Sequence, residues 1–185
     1  MTPSRYLPAE WAHHSGVMLT WPHHASDWAE LLEEVEPAFM RIAQAISQRE
    51  KLLVVAYDQA HQDHIARLLT QQGVDLDKVM LAIQPANDTW ARDHGPITVV
   101  EQGKPLLLDF VFNGWGQKYP AELDNAINRG LAAQGIFAVS MQSSRLVLEG
   151  GSIDTDGTGT LLTTRACLMT TTRNPQLDQQ QLETL

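Results

Sequence analysis

The order of the apolar segments constrains the fold of this chain more than any other feature of its sequence. Strand-like segments come in groups of two or three, and polar segments with apolar residues at three- and four-residue spacing separate these groups. This pattern predicts an α/β protein containing hairpins, and not the strict βαβα alternation of a doubly wound sheet. The predicted strands are residues 15–21, 52–57, 79–84, 97–101, 105–112, 136–140, 145–148, 152–155 and 160–163. The predicted helices are residues 27–48, 59–71, 121–133 and 177–185.

Prolines and glycines refine this outline. Pro37 interrupts the predicted helix 27–48, so the sequence allows either one kinked helix or two. Glycine-containing turns at residues 102–104 and 156–159 join two of the strand pairs, which is typical of β-hairpins. The second turn begins like a calcium-binding loop, but Arg165 stands where that loop needs a bidentate Glu, so we interpret it as a hairpin turn.

Composition restricts the class of protein. Hydrophobic residues make up 43% and charged residues 19% of the 185, which is typical of a soluble globular chain. No apolar run approaches the roughly 20 residues of a membrane span, and the N-terminal segment has no secretory signal pattern. The formal net charge of −9 argues against unspecific nucleic-acid binding. The lone Cys167 excludes an intrachain disulfide and fits a reducing cytoplasm, so we expect a cytoplasmic protein with neither nucleic-acid nor membrane partners.

Residues 87–96 (NDTWARDHGP) form the densest polar segment, and they follow a predicted buried strand. The carboxylates Asp88 and Asp93 stand near Trp90 and Arg92 in this loop. A carboxylate beside an aromatic face suits a planar cation such as guanidinium, because the carboxylate accepts parallel N–H bonds while the ring packs on the cation. A turn stabilised by Asn and Asp side chains, with an internal Asp–Arg pair, explains the composition equally well.

Two further loops carry unusual residues. Trp115 lies between glycines directly after a strand, and it is either a wall over a flat ligand or a buried anchor of the loop. Glu149 precedes Gly150 at a strand end, where glycine permits positive φ or close backbone approach, so Glu149 either points into a cleft or is solvated. The histidines show no HExxH or paired-cysteine spacing; we therefore predict no metal and expect solvated or capping histidines.

Four segments together resemble the agmatine deiminase family and the related bacterial-type peptidylarginine deiminases. These segments follow one another in order and span most of the chain. The sequence departs from the family at residues 170–172, which are threonines where family members tend to have Asn-rich sequence. The segments are residues 8–22 (with PAEW and TWP at its ends), 87–96 (NDTWARDHGP), 109–119 (DFVFNGWGQKY) and 148–175 (LEGGSIDTDGTGTLLTTRACLMTTTRNP).

This resemblance implies a pentein fold, a pseudo-fivefold α/β propeller of ββαβ-type modules. Members run to roughly twice this length, so residues 1–185 would form the N-terminal part of a single catalytic domain, about two and a half modules, with the C-terminal half absent. The implied reaction converts agmatine and water to N-carbamoylputrescine and ammonia, a step of putrescine and polyamine synthesis. A Cys thiolate attacks the guanidinium carbon and a His acts as acid and then base, without a cofactor.

Transferred by motif, Asp93 becomes a guanidinium-binding carboxylate, and Glu149 supports the catalytic His or the substrate. The resemblance also places substrate-binding or loop-shaping residues at Asp88, Trp90, Arg92, Trp115 and Gly150. The family's catalytic His and Cys would lie beyond Glu149.

Neither of these two residues is identified in the sequence. His61 has the spacing of the family's His-x-Asp motif but precedes Asp93, and Cys167 matches a different cysteine of the family, so we assign catalysis to neither. We therefore expect the chain to be inactive alone and to self-associate or form homo-oligomers through exposed strand edges. The alternatives are a non-catalytic guanidinium-binding or assembly module, and a peptidylarginine deiminase with the same chemistry.

Overall fold

The computed structural model describes residues 5–184 and has a mixed α/β architecture. The first four residues, part of the segment inspected for a secretory signal, and Leu185, the end of the predicted helix 177–185, lie outside this range. The strands are β1 (Arg5–Tyr6), β2 (Gly16–Thr20), β3 (Lys51–Ala56), β4 (Val79–Ile83), β5 (Ile97–Glu101), β6 (Lys104–Val111), β7 (Met141–Val147), β8 (Ile153–Thr155) and β9 (Leu161–Thr163). The helices are α1 (Leu32–Ser47), α2 (Gln59–Gln71), α3 (Ala91–His94), α4 (Gly114–Gln117), α5 (Ile127–Ala133), α6 (Arg165–Leu168) and α7 (Gln179–Glu183), and single 3₁₀ turns lie at Ala29–Leu31, Leu76–Lys78, Asp124–Ala126 and Gly150–Ser152. None of the helices within residues 5–184 is long and apolar enough to cross a membrane.

The chain divides into two compact units. Residues 13–91 form the parallel-sheet unit, and residues 5–12 together with 92–184 form the mixed-sheet unit. In the parallel-sheet unit, β2, β3 and β4 pair in parallel in that order, and α1 and α2 supply the two crossovers. Its core consists of Trp21, Ala43, Leu52, Val54, Ala56, Ile65, Leu69 and Val74.

The two long helices of the parallel-sheet unit follow from local sequence. Asp58 caps α2 by accepting a hydrogen bond from the backbone N–H of His61 at 2.8 Å. Ile65 and Leu69, one turn apart, are fully buried. The sequence left open whether Pro37 kinks one helix or separates two. In the structure, Pro37 lies within the single helix α1.

The mixed-sheet unit contains a four-stranded sheet in the order β1-β5-β6-β7 and a separate β8–β9 hairpin. The predicted hairpins are confirmed, because β5 pairs antiparallel with β6 and β8 pairs antiparallel with β9. In the second turn, Asp156 Oδ1 accepts backbone hydrogen bonds from Thr158 at 2.8 Å and Thr160 at 3.1 Å. These bonds hold the pKa of the exposed Asp156 carboxyl below its usual range.

The prediction of two short strands between residues 136 and 148 is wrong. The structure has one strand, β7, which pairs in parallel with β6 starting at Met141, opposite Leu107. Residues 136–140 form no strand, although the carbonyl of Ser140 accepts a hydrogen bond from the N–H of Leu107 at 3.0 Å. The predicted helix 121–133 is also shorter, because only Ile127–Ala133 is α-helical after the 3₁₀ turn Asp124–Ala126.

Candidate active site

Asp93 lies in the short helix α3, half-buried, and its side chain meets two other elements of the mixed-sheet unit. Its Oδ1 accepts a hydrogen bond from the backbone N–H of Gly151 at 3.2 Å. The side chain of Trp115 also makes a hydrogen bond to this carboxyl group, and the indole N–H is the only donor of that side chain. Three segments distant in sequence therefore converge on one carboxylate.

The pKa of Asp93 is raised, chiefly by burial, which disfavours the ionised carboxylate. The nearby negative charge of Glu149 raises this pKa further. The hydrogen bonds from Gly151 and Trp115, together with the positive charge of Arg92, act in the opposite direction. A neighbouring cation would favour the ionised form of such a carboxyl group.

Glu149 follows the end of β7 and is 2% exposed, so of the two sequence-based interpretations the solvated one is wrong. Its Oε1 accepts a hydrogen bond from Nε of Arg173 at 2.8 Å, and Nη2 of the same guanidinium forms an ion pair with this oxygen at 2.8 Å. Its Oε2 is buried and has no hydrogen-bond partner within the described part of the chain, residues 5–184. Burying a carboxylate is costly unless it is paired, and Arg173 supplies the opposite charge.

Two glycines bring Glu149 and Asp93 together. A Cβ at Gly150 would collide with the backbone carbonyl of Arg92, and a Cβ at Gly151 would collide with Oδ1 of Asp93. Close backbone approach is therefore the reason for glycine at these positions. The segment that carries Glu149 packs directly on α3, and the two predicted carboxylates are close enough for the charge of one to shift the pKa of the other.

Trp115 lies in α4, a single turn in which all four residues have positive φ: 64° at Gly114, 58° at Trp115, 85° at Gly116 and 66° at Gln117. The side chain of Asn113 caps this turn by accepting from the N–H of Gly116 at 2.8 Å. A left-handed turn is costly for residues with a side chain, at roughly 1–2 kcal/mol each, and the strain is concentrated beside Asp93.

The ring of Trp115 lies edge-to-face against two other aromatic rings. Its centroid is 5.2 Å from that of Phe112 and 5.7 Å from that of Tyr119. The ring is half-buried, so both of the functions considered from the sequence, anchor and wall, are compatible with its position.

A buried polar network connects α3 to α5 and β6. Asn128 donates from its amide to the carbonyl of His94 at 2.7 Å and to Oδ1 of Asp109 at 3.0 Å. Asp109, 1% exposed, also accepts from Ser143 at 3.0 Å and from Arg129 at 3.2 Å. A charged residue at the centre of an otherwise apolar strand was the signal in the sequence that this position is paired internally.

The remaining predicted residues have other contacts. Arg92 forms an ion pair with Glu10, in the segment of residues 8–22, and its positive charge also lowers the pKa of Asp93 in its own loop. Asp88 and Trp90 belong to the parallel-sheet unit; Oδ1 of Asp88 accepts from Nε1 of Trp28 at 2.8 Å, and Trp90 is 42% exposed. Their assignment to substrate binding stays a prediction.

The histidine of the mixed-sheet unit is His94. It is 2% exposed and packs against Phe112, with 6.3 Å between ring centroids. Burial lowers the pKa of His94 to about 4, so the ring is neutral at pH 7. A buried neutral ring of this kind is poorly suited to exchange protons with a ligand.

Histidines also cluster in the parallel-sheet unit. His23 is 1% exposed and stacks on Tyr57 with 4.5 Å between ring centroids, so it is not solvated. Its Nδ1 accepts from the backbone N–H of Ala25 at 3.2 Å, which agrees with the capping alternative. His64 pairs with Glu36 at 2.9 Å, and Nδ1 of His61 accepts from the N–H of Tyr57 at 3.1 Å. Within residues 5–184, no group of three His, Cys, Asp or Glu side chains is arranged to hold a metal ion.

A family model for Porphyromonas-type peptidyl-arginine deiminase matches residues 6–185. The chain belongs to this family. The chain is also 33% identical over 183 residues to an agmatine deiminase of Stutzerimonas stutzeri. This match covers 96% of the chain and 48% of that relative.

Solved structures give the same assignment for this deiminase family chain. The structure of C. jejuni agmatine deiminase with substrate bound has a TM-score of 0.86 and 35% identity, covering 97% of this chain and 51% of that one. The agmatine deiminase of Enterococcus faecalis has a TM-score of 0.83 and 30% identity, covering 98% and 49% respectively. The mixed α/β fold is thus similar to that of agmatine deiminases, and the chain spans about half the length of the relatives it matches.

Sequence reasoning missed Arg173, the partner of Glu149. It lies 24 residues after Glu149 in sequence and within the segment 148–175 that carries the family resemblance. The signal that was available is the requirement of a buried Glu for an opposite charge, but the sequence does not say which arginine supplies it.

Proposed function

We propose that this chain supplies half of a guanidinium-binding site in an agmatine-deiminase-like hydrolase, with Asp93 and Glu149 as its carboxylates. The observation that supports this most directly is that the structure places these two carboxylates within electrostatic range of each other in a partly desolvated setting. Like charges close together are unfavourable unless a cation joins them. Arg173 compensates one of the two, and a ligand cation would compensate the other.

The charge balance favours a monocation. Ionised Asp93 and Glu149 contribute −2 and Arg173 contributes +1. Arg92, whose charge also acts on Asp93, is balanced by its ion pair with Glu10, so the net charge is −1. A guanidinium group has a charge of +1 and donates several N–H bonds in one plane, which matches carboxylate oxygens together with an aromatic wall such as Trp115. Agmatine carries this group at the end of an unbranched chain.

In the complete protein, the proposed reaction is hydrolysis of agmatine to N-carbamoylputrescine and ammonia. Asp93 and Glu149 would hold and polarise the guanidinium group while a Cys thiolate attacks its carbon and a His transfers protons. We propose that both of these residues lie outside this chain, because His94 is buried and Cys167 stands at another motif position. The arrangement of ββαβ modules in a pseudo-fivefold propeller belongs to the same proposal.

Calorimetric titration of the chain with agmatine tests the half-site. We expect a measurable heat of binding, and we expect Asp93→Asn to weaken the affinity at least about tenfold, because a charge-assisted hydrogen bond contributes about 1.5–3 kcal/mol. The control Asp154→Asn changes an exposed aspartate on β8 of the same unit and should leave the affinity unchanged. Absence of heat from the unmodified chain would refute binding by the isolated half-site.

Ammonia release distinguishes a half-site from a complete enzyme. We expect the isolated chain to release no ammonia from agmatine. Turnover that Cys167→Ala abolishes would contradict this and would make Cys167 the nucleophile. A titration with an arginine-containing peptide separates the two substrate classes, and tighter binding of the peptide than of agmatine would favour a peptidylarginine deiminase.

The second candidate function is a guanidinium-binding module without catalysis. The same measurements identify it: agmatine binding that depends on Asp93, combined with no turnover when the chain is mixed with the C-terminal half of a family relative. Restored turnover in that mixture would favour the hydrolase.

A further inference from the structure

Arg173 and Glu149 form the most deeply buried ion pair among the described residues, with side chains 9% and 2% exposed. We propose that Arg173 is a positioning residue, which fixes the carboxylate of Glu149 so that it acts on a ligand through Oε2 alone. This inference rests on the proposed function, because it concerns the same carboxylate. It adds a residue that the sequence motifs did not assign to the site.

The hydrogen bonds of Glu149 are distributed unequally between its two oxygens. Nε of Arg173 donates to Oε1 at 2.8 Å and Nη2 lies 2.8 Å from the same oxygen as an ion pair, while Oε2 is buried without a hydrogen-bond partner in residues 5–184. A buried carboxylate oxygen without a hydrogen-bond donor is energetically costly. We therefore infer that a ligand supplies the donor for Oε2. A side-on pairing with one oxygen of this kind leaves the other available, whereas an end-on bidentate pairing would occupy both.

Arg173 makes two hydrogen bonds within the segment of residues 170–174, which we call the strap. The backbone N–H of Arg173 donates to the carbonyl of Thr170 at 3.1 Å, and its Nη1 donates to the hydroxyl of Thr170 at 3.2 Å. The next residue, Asn174, is 1% exposed and makes two hydrogen bonds to the backbone of Val147, two residues before Glu149. The guanidinium and the carboxylate are therefore tied to the same strand end.

The strap also contacts the left-handed turn that carries Trp115. The side-chain amide of Asn113 donates to the carbonyl of Thr172 at 2.8 Å, while its oxygen caps the turn at Gly116. A Cβ at Gly116 would collide with the side chain of Thr172. One segment thus supports both Glu149 and the loop whose tryptophan bonds to Asp93.

Arg5 provides a matched control. It donates from Nε at 2.9 Å and from Nη2 at 2.7 Å to a single oxygen of Glu101, and Nε and Nη2 of Arg173 likewise both lie within 2.8 Å of a single oxygen of Glu149. The side chains of Arg5 and Glu101 are 41% and 42% exposed and lie on β1 and β5. Arg5→Lys therefore changes a side-on pair of the same form at the exposed end of the sheet.

Arg173→Lys is the decisive variant, because lysine keeps the charge but cannot place two nitrogens beside one oxygen in the fixed positions of a guanidinium group. In calorimetric titrations with agmatine, we expect Arg173→Lys to weaken the affinity at least about tenfold and Arg5→Lys to leave it unchanged. If Arg173 acts through Glu149, the double variant Arg173→Lys/Glu149→Gln binds no more weakly than Glu149→Gln alone. Unchanged affinity in Arg173→Lys, or losses that simply add in the double variant, would overturn the proposal.

A measurement without ligand separates this inference from the proposed function. Titration of the Asp93 carboxyl by ¹³C NMR reports the charge of Glu149 beside it, together with that of Arg92. We expect Arg173→Lys to shift this titration while Glu149 is present, because the carboxylate is displaced, and to cause no further shift when Glu149→Gln is already present. Equal shifts in both backgrounds, or no shift, would contradict a positioning role even if the unmodified chain bound no agmatine.

Discussion

Asn174 ties the strap to the end of β7, and its replacement by alanine is expected to destabilise the chain strongly. Its side-chain oxygen accepts from the N–H of Val147 at 3.0 Å, and its side-chain NH₂ donates to the carbonyl of the same residue at 2.9 Å. Asn174 is 1% exposed and Val147 is 8% exposed, so water does not replace these bonds readily. Asn174 thus pairs with one residue as a neighbouring strand would.

The magnitude follows from the two backbone groups that lose their partner. A buried N–H or C=O left unpaired costs about 1–3 kcal/mol, so Asn174→Ala is expected to lower the free energy of unfolding by about 2–6 kcal/mol. This is a large fraction of the stability of an ordinary domain, which is about 5–15 kcal/mol. The substitution removes few apolar contacts, so the hydrogen bonds dominate the loss.

Urea unfolding followed by circular dichroism measures this change, with Gln176→Ala as the control at an exposed strap-adjacent position. The control should alter the free energy of unfolding by less than about 0.5 kcal/mol. Amide hydrogen exchange locates the effect, since the Val147 N–H should lose protection in Asn174→Ala.

Asn174→Asp distinguishes the hydrogen bonds from packing, because the side chain keeps its shape. The ionised carboxylate of this aspartate still accepts from the N–H of Val147. It has no hydrogen to donate to the carbonyl oxygen of Val147, so the two oxygens face each other. The protonated form donates again, so we expect a folded-state pKa above the unfolded value and stability that is present at low pH and lost as pH rises through that pKa. A loss below about 1 kcal/mol in Asn174→Ala, or pH-independent stability of Asn174→Asp relative to the unmodified chain, would refute the reasoning.

Three further predictions concern the carboxylate pair and the buried histidine. Glu149→Gln should lower the pKa of Asp93, because a like charge is removed, and ¹³C NMR titration of the carboxyl group measures this shift. Gly150→Ala should lower the melting temperature through a loss of about 1–3 kcal/mol, because the new methyl group meets the carbonyl of Arg92; an unchanged melting curve would contradict the close approach. Burial lowers the pKa of His23 to about 4 from 6.5, so the unfolded chain takes up the proton first and stability falls as the pH decreases from about 6.5 to 4. His23→Phe should reduce that dependence in urea titrations at several pH values, and an unaltered dependence would show that other groups cause it.

Local pattern was sufficient to predict most of the elements. The helix predicted at residues 59–71 has the bounds of α2 in the structure. The glycine-containing turns predicted both hairpins correctly. Residues 136–140 were misjudged, because their apolar side chains resemble a strand while the ladder positions are fixed by β6, which is distant in sequence.

The proximity of Asp93 and Glu149 was predicted only by resemblance to a family, and the structure supplies its physical cause. Close packing at Gly150 and Gly151 brings the two carboxylates together, and no spacing rule connects segments so far apart in the chain. Arg173 could not be selected from the sequence for the same reason, since a buried carboxylate needs a cation but does not identify it.

The left-handed turn Gly114–Gln117 has a consequence for the chirality of the residues that it accepts. Trp115 and Gln117, at φ values of 58° and 66°, adopt the mirror image of the conformation that L-amino acids prefer. In a chain assembled by chemical ligation, D-glutamine at position 117 would match this backbone without strain, whereas D-tryptophan at position 115 would do so while redirecting its ring. The left-handed backbone of this turn therefore places the side chain of an L-tryptophan beside Asp93.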